Sequence, residues 1–195
     1  MQYRPKINHN EMQILSILRK NRKCLSILKF VHQIKDEELW IGGGFIRNII
    51  WDFKHSYLVN TEFGDIDVFY FNKECLDKSR DIEIENKLLK ISPNIDWSVK
   101  NQARMHIHND EKPYVSLTDA LVKFPDTAST TIVRLNENNL IELIAPYGYS
   151  DLFNLIVKPT PYFLKSQTKF QIYIDRILQK KWGTKWPNLK IYTRL

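Results

Sequence analysis

The sequence predicts an α/β (α+β) protein with a small mixed β-sheet flanked by helices and helical N- and C-terminal extensions. Three observations carry this. The apolar pair Trp40-Ile41 runs into Gly42-Gly43-Gly44 and then into a helical apolar pattern over 45–53. An extended run over 65–71 is followed by a helical stretch at 78–90 and a further extended run at 95–102. Two β-rich runs, 130–135 and 140–144, are joined by Asn136-Glu137-Asn138-Asn139, which reads as a hairpin. Strands alternating with helices define an α/β unit, and the hairpin makes its sheet mixed.

The elements follow in order. From Asn10 the spacing of Met12, Ile14, Leu15, Ile17 and Leu18 gives an amphipathic helix, and 24–31 gives a second, with the basic run 19–23 between them. A strand at about 38–42 leads into the helix ending near 54, and the interval 55–64 is polar and turn-rich. After the strand, helix and strand of 65–102 comes a loop containing Pro113. Ser116 then caps a helix to about 123, stopped by Pro125. Beyond the hairpin, Asp151 caps a short apolar helix to about 157, and 158–162 is extended. An amphipathic helix over 167–181 and a tail rich in Trp, Pro and Lys close the chain. Residues 1–195 are expected to form one domain, with its core at about 36–157 and basic helical extensions at both ends.

A hydrophobic content of 43%, with 12% aromatic residues, is enough to bury a core. No apolar run approaches the roughly 18 to 20 residues of a membrane span, and the first residues lack the apolar stretch of a signal peptide. No membrane partner is expected, and a soluble, cytoplasmic location is. Cys24 and Cys75 are too few for a disulfide framework or a zinc site. The net charge of +7 is unevenly spread: 1–35 holds 8 Lys or Arg against Glu11, 158–195 holds 9 against Asp175, and 36–157 holds 12 against 20 acids. Basic ends attract polyanions, nucleic acid among them, although a solvated basic face is the commoner cause of such a charge.

The acidic middle carries the chemistry. Asp65 and Asp67, two apart in an extended run, project from the same face of a strand. Two carboxylates so close repel unless a cation sits between them, and hard cations such as magnesium take oxygen ligands together with substrate phosphates. A glycine turn opening a helix lets backbone N–H groups approach phosphate oxygens, and the helix N-terminus favours negative charge. Arg47, on the first turn, could add a bidentate contact. The glycines lack the Gly-Lys-Ser/Thr of a Walker A loop and the spacing of a Rossmann fingerprint. Taken alone, they could serve close helix–strand packing.

Gly43-Gly44 followed by an Asp-x-Asp strand resembles the DNA polymerase beta-type nucleotidyltransferase superfamily. Gly43-Gly44-Phe45-Ile46-Arg47-Asn48 is similar to the Gly-Gly-x-Val-Arg-Asp of tRNA nucleotidyltransferases and poly(A) polymerases, with Asn48 in place of the usual Asp. The chain looks closer still to a bacterial nucleotidyltransferase-like family of unknown substrate. The runs it shares with that family are 100–106, Ala145-Pro146-Tyr147-Gly148 with Asp151-Leu152-Phe153, and Lys181-Trp182 with Trp186-Pro187. The resemblance implies a polymerase beta-like fold in which Gly43 and Gly44 hold a nucleoside triphosphate while Asp65 and Asp67 are catalytic and bind magnesium or manganese. It implies transfer of a nucleoside monophosphate to a hydroxyl acceptor with release of pyrophosphate. The superfamily often uses a third carboxylate, for which Glu142 and Asp96 are the candidates. Without one, the chain would be a weak or inactive nucleotide- or RNA-binding module.

Lys100, Asn101, Gln102 and Arg104 put four polar side chains on one segment, and alternation puts Gln102 and Arg104 on one face with Lys100. Lys100 and Arg104 suit phosphate and Asn101 or Gln102 a base or ribose edge; equally, the group could pin the following loop. His106 and His108 have too few neighbouring ligands for zinc. Thr127, Ser129, Thr130 and Thr131 read as β-formers, with a nucleotide contact as the alternative. Trp182 and Trp186 lie among lysines, which suits either a docked tail or stacking on unpaired bases.

Overall fold

A computed structural model describes residues 8–194 of the chain. Arg4 and Lys6 of the basic N-terminal segment lie outside the described residues. Asn8 caps α1 (His9–Lys20), its side chain accepting the Asn10 N–H at 2.9 Å, and Asn21 does the same for Cys24 at the start of α2 (Arg22–His32). Both helices bury one stripe, Ile14, Ile17 and Leu18 on the first and Cys24, Ile27, Leu28 and Val31 on the second.

Among the described residues the main sheet has five strands, in the order β3-β2-β1-β4-β5. The short β1 (Trp40–Ile41) pairs antiparallel with β2 (Ile66–Tyr70) and with β4 (Ile132–Leu135). Between β1 and β2 runs α3 (Gly44–Lys54). α4 (Ser79–Ile91) buries Ile84 and Leu88 and crosses over so that β3 (Trp97–Asn101) runs parallel to β2, as such a connection requires. β4 and β5 (Ile141–Ile144) form the expected hairpin, closed by the Asn136 N–H on the Leu140 carbonyl at 2.9 Å.

Alternation along the strands gives the sheet two unlike faces. Ile66, Val68 and Tyr70 of β2, with Trp97 and Val99 of β3, enter the large core shared with α1 to α4. Phe69, Trp40 and Ile132 point the other way and pack with Leu121 of α5 (Leu117–Leu121) in a smaller cluster. Asp67 shares this second face, so it escapes the main core.

Three expectations are corrected. The apolar stretch expected as a helix to about 157 is helical only as α6 (Ser150–Phe153). Leu155 takes a φ of 61°, and β6 (Ile156–Val157) then pairs parallel with β7 (Lys190–Ile191) in a separate two-stranded sheet. The strand expected to run to 102 stops at Asn101, whose side chain takes the Ala103 N–H at 3.0 Å and starts a 3-10 turn over Gln102–Arg104. Residues Thr127–Thr130 form another 3-10 turn, capped by Asp126, rather than β structure. The tail after α7 (Gln167–Lys180) is ordered. Lys181, in the left-handed region at φ 50°, turns the chain into α8 (Trp182–Lys185).

Candidate active site

Gly43 has φ 61° and ψ −132°, a backbone that glycine adopts at little cost. A Cβ there would lie 2.5 Å from Asp67 Oδ2. The bare Cα therefore lets the turn between β1 and α3 close directly over the carboxylate. A Cβ at Gly42 would meet Phe69 at 2.6 Å and Ile132 at 2.7 Å, so this glycine serves packing across the sheet. Gly44 opens α3, and both Gly44 and Asp67 face a cleft of about 320 Å³. Asp65, one residue before β2, lines the same cleft and is exposed. The structure thus brings together the glycine turn, a helix N-terminus and both predicted carboxylates.

Lys100 joins them. Its position in β3 pairs with Phe69, and its Nζ lies 2.8 Å from Asp67 Oδ1. Arg47 lines the cleft too, yet it is buried at 5% exposure. It donates from Nη1 to Ser129 Oγ at 2.8 Å and from Nη2 to Asn48 Oδ1 at 3.2 Å, while its Nε has no partner among the described residues. Burial, with Arg176 nearby, pulls its pKa down to about 10, and Asp126 and Asp67 oppose the shift.

The C-terminal segment supplies residues that motif reading missed. Arg176 and Lys180 of α7 and Lys185 of α8 form the cleft's basic wall. Trp182 meets two guanidinium groups, with Arg47 Cζ at 4.3 Å and Arg176 Cζ at 5.5 Å from its ring centre. Trp182 and Trp186 stack edge-on against Trp51, at 5.6 Å and 5.1 Å between centres, and Trp186 Nε1 donates to Asp52 at 2.7 Å. The tryptophans dock the tail, and each is 1% exposed. The available signal was the excess of Lys and Arg over 158–195.

Other candidates lie elsewhere. Asn101 is wholly buried and pins the loop after β2: it accepts from the Asn72 N–H and donates to the carbonyls of Asn72 and Cys75. Arg104 forms a buried ion pair with Asp81 and donates to the carbonyls of Leu76 and Asp77. Both take the loop-pinning role, because the strand breaks before Arg104 can share a face with Lys100. Glu142 sits on β5, three strands from Asp67, or roughly 14 Å of sheet. Its carboxylate is held by Arg134 Nε at 2.8 Å and Asn136 Nδ2 at 2.9 Å. Asp96 is exposed next to Asp65, one step before the register pair Ile66 and Trp97. Among the described residues no group of three or more His, Cys, Asp or Glu is placed to hold a metal ion. His106 instead bonds the Ala103 carbonyl through Nδ1 at 2.7 Å.

The comparisons with known proteins bear on the family and the fold. A family model described as Nucleotidyltransferase matches residues 29–191. The chain belongs to that nucleotidyltransferase family. A solved structure described as revealing a CCA-adding enzyme head domain is 31% identical, with a TM-score of 0.81, over 97% of this chain and 98% of that one. The Thermotoga maritima CCA-adding enzyme complexed with tRNA has a TM-score of 0.57 at 14% identity, over 92% of this chain and 42% of that one. A CCA-adding enzyme in complex with CTP has a TM-score of 0.58 at 14% identity, over 93% and 43%. The last two share the fold, and the chain spans less than half of their length. A search of the curated proteins returns no match. No helix among the described residues is long and apolar enough to cross a membrane.

Proposed function

We propose that the chain transfers a nucleoside monophosphate from a nucleoside triphosphate to a hydroxyl acceptor in a magnesium-dependent reaction that releases pyrophosphate. The observation that carries this is the closure of Gly43 over Asp67, which puts the carboxylate pair and the α3 N-terminus in one basic cleft. Asp65 and Asp67 offer hard oxygen donors, and Asp67, its side chain 24% exposed, meets Lys100 through Oδ1 and leaves Oδ2 outside that bond, which fits magnesium or manganese. When bound, the metal supplies charge neutralisation and polarisation of the phosphoryl oxygens. The α3 N–H groups, with Arg47, Arg176 and Lys180, hold the polyphosphate and favour charge on the departing pyrophosphate. Lys100 exchanges its bond to Asp67 for a phosphate oxygen. The relatives' structures with CTP and with tRNA make an RNA 3′ hydroxyl the first acceptor to test.

The test is transfer of label from α-labelled nucleoside triphosphates to RNA and to cell-extract components. Asp65→Asn with Asp67→Asn should abolish transfer while leaving the fold intact. Absence of any labelled product from the unaltered chain sinks the reading. A second reading, a nucleotide-binding module without turnover, is favoured by the Lys100–Asp67 contact and by the engagement of Glu142 elsewhere. Nucleotide binding indifferent to magnesium would select it.

A further inference from the structure

A second cavity of about 350 Å³ meets the basic cleft at Asp67, Lys100 and Arg176. Its character is different, for its walls include Phe69, Tyr114, Phe124, Phe163 and Ile172. Gln102 also lines it, and is 2% exposed. The Gln102 carboxamide makes no hydrogen bond to any described residue, whereas Asn101 beside it is fully engaged. The amide atoms are not sealed from solvent, so the carboxamide stays open to the cavity it lines, and a polar group so placed is satisfied by what enters it.

We propose that Gln102 reads the base of the nucleoside triphosphate and that the aromatic cavity is its base subsite. The inference rests on the nucleotidyltransferase reading and extends it to the residue that sets nucleotide recognition. Two joined cavities, one basic and one aromatic, with a carboxylate at their junction, fit one molecule that is polyanionic at one end and planar at the other. A triphosphate in the basic cleft places its α-phosphate at Asp67 and directs its ribose and base past Lys100 into the second cavity. The aromatic walls cover the base faces. A carboxamide, donor and acceptor together, matches the paired donor and acceptor on a base edge.

The experiment is calorimetry of the full chain, in magnesium, with each of four nucleoside triphosphates and with inorganic tripolyphosphate. Gln102→Leu and Gln102→Met keep the apolar volume and remove the amide, and thermal unfolding confirms that each variant folds. Kd for the best-bound nucleoside triphosphate should rise about tenfold in both variants, the equivalent of the hydrogen bonds lost. Tripolyphosphate, which has no base, should bind as before. Unchanged nucleotide affinity overturns the proposal, as does an equal weakening of tripolyphosphate, which would mark Gln102 as structural. An unaltered chain that binds tripolyphosphate but no nucleoside triphosphate overturns the nucleotidyltransferase reading itself, and this inference with it.

Discussion

The guanidinium of Arg47 lies 4.3 Å from the ring centre of Trp182, which joins the first turn after the glycines to a tail more than a hundred residues further on. An arginine stacked on an indole keeps its direction without a carboxylate partner, so its charge stays available to the cleft. Trp182→Ala should destabilise the protein by about 3–5 kcal/mol, the range for emptying a buried tryptophan site. Urea unfolding reads this directly, and nucleotide affinity should fall in the same variant because Arg47 loses its support.

Gly43→Ala is expected to destabilise the turn by about 1–3 kcal/mol from backbone strain alone. It should also remove transfer activity, since the new Cβ would meet Asp67 Oδ2 at 2.5 Å. Gly183→Ala is the control, since its Cβ would only reach ordinary contact with Ile191 at 3.7 Å and the residue does not line the cleft, and it should leave both readouts close to the original. Equal effects of the two substitutions would remove Gly43 from the site.

Arg176→Met keeps the alkyl stem packed and removes a charge from the cleft wall. Kd for a nucleoside triphosphate should rise about tenfold to a hundredfold, the range for a hydrogen bond to a charged group. The corresponding change at an exposed lysine remote from the cleft, Lys29→Met, should leave binding unaltered.

Arg104→Met should cost stability rather than catalysis. It strands the buried Asp81 carboxylate, for which a loss of about 3–5 kcal/mol is typical. Adding Asp81→Asn should recover part of this, measured as a positive coupling in a double-mutant cycle. A KM effect from Arg104→Met at full stability would return this residue to the nucleotide site.

Glu142 titrates below its ordinary value of 4.5, first because Asn136 donates to it and also because Arg134 does, with burial opposing both. The folded state therefore holds the proton less tightly than the unfolded one. The stabilisation is complete above about pH 4.5 and is lost as the pH falls through the depressed value. Glu142→Gln should flatten the acid limb of melting temperature against pH, with transfer activity near neutral pH retained.

How much of this was legible in the residues depends on how local each cause is. Asp65, Asp67 and the glycine turn are adjacent in sequence to the elements that aim them, so period-two alternation and turn chemistry were enough. The strand limits shifted by only a residue or two. Arg104 was misplaced because one side chain, Asn101, captures a backbone N–H and ends the strand, an event that periodicity does not register. The helix to 157 failed at Leu155, whose positive φ turns the chain into β6, a strand that pairs with a distant β7. Arg176, Lys180 and Lys185 were visible only as surplus charge, since their approach to the cleft depends on how Trp182 and Trp186 seat against Trp51.

The left-handed turn at Lys181 and the small β6–β7 clamp together give the molecule a divided construction. Asp67 and Lys100 belong to the main sheet, while Arg176, Lys180 and Lys185 hang from a strap fastened elsewhere. Substitutions in the strap can thus change the charge of the cleft wall without disturbing the strand that carries Asp67. Within one fold, the basic wall and the carboxylate strand are free to diverge.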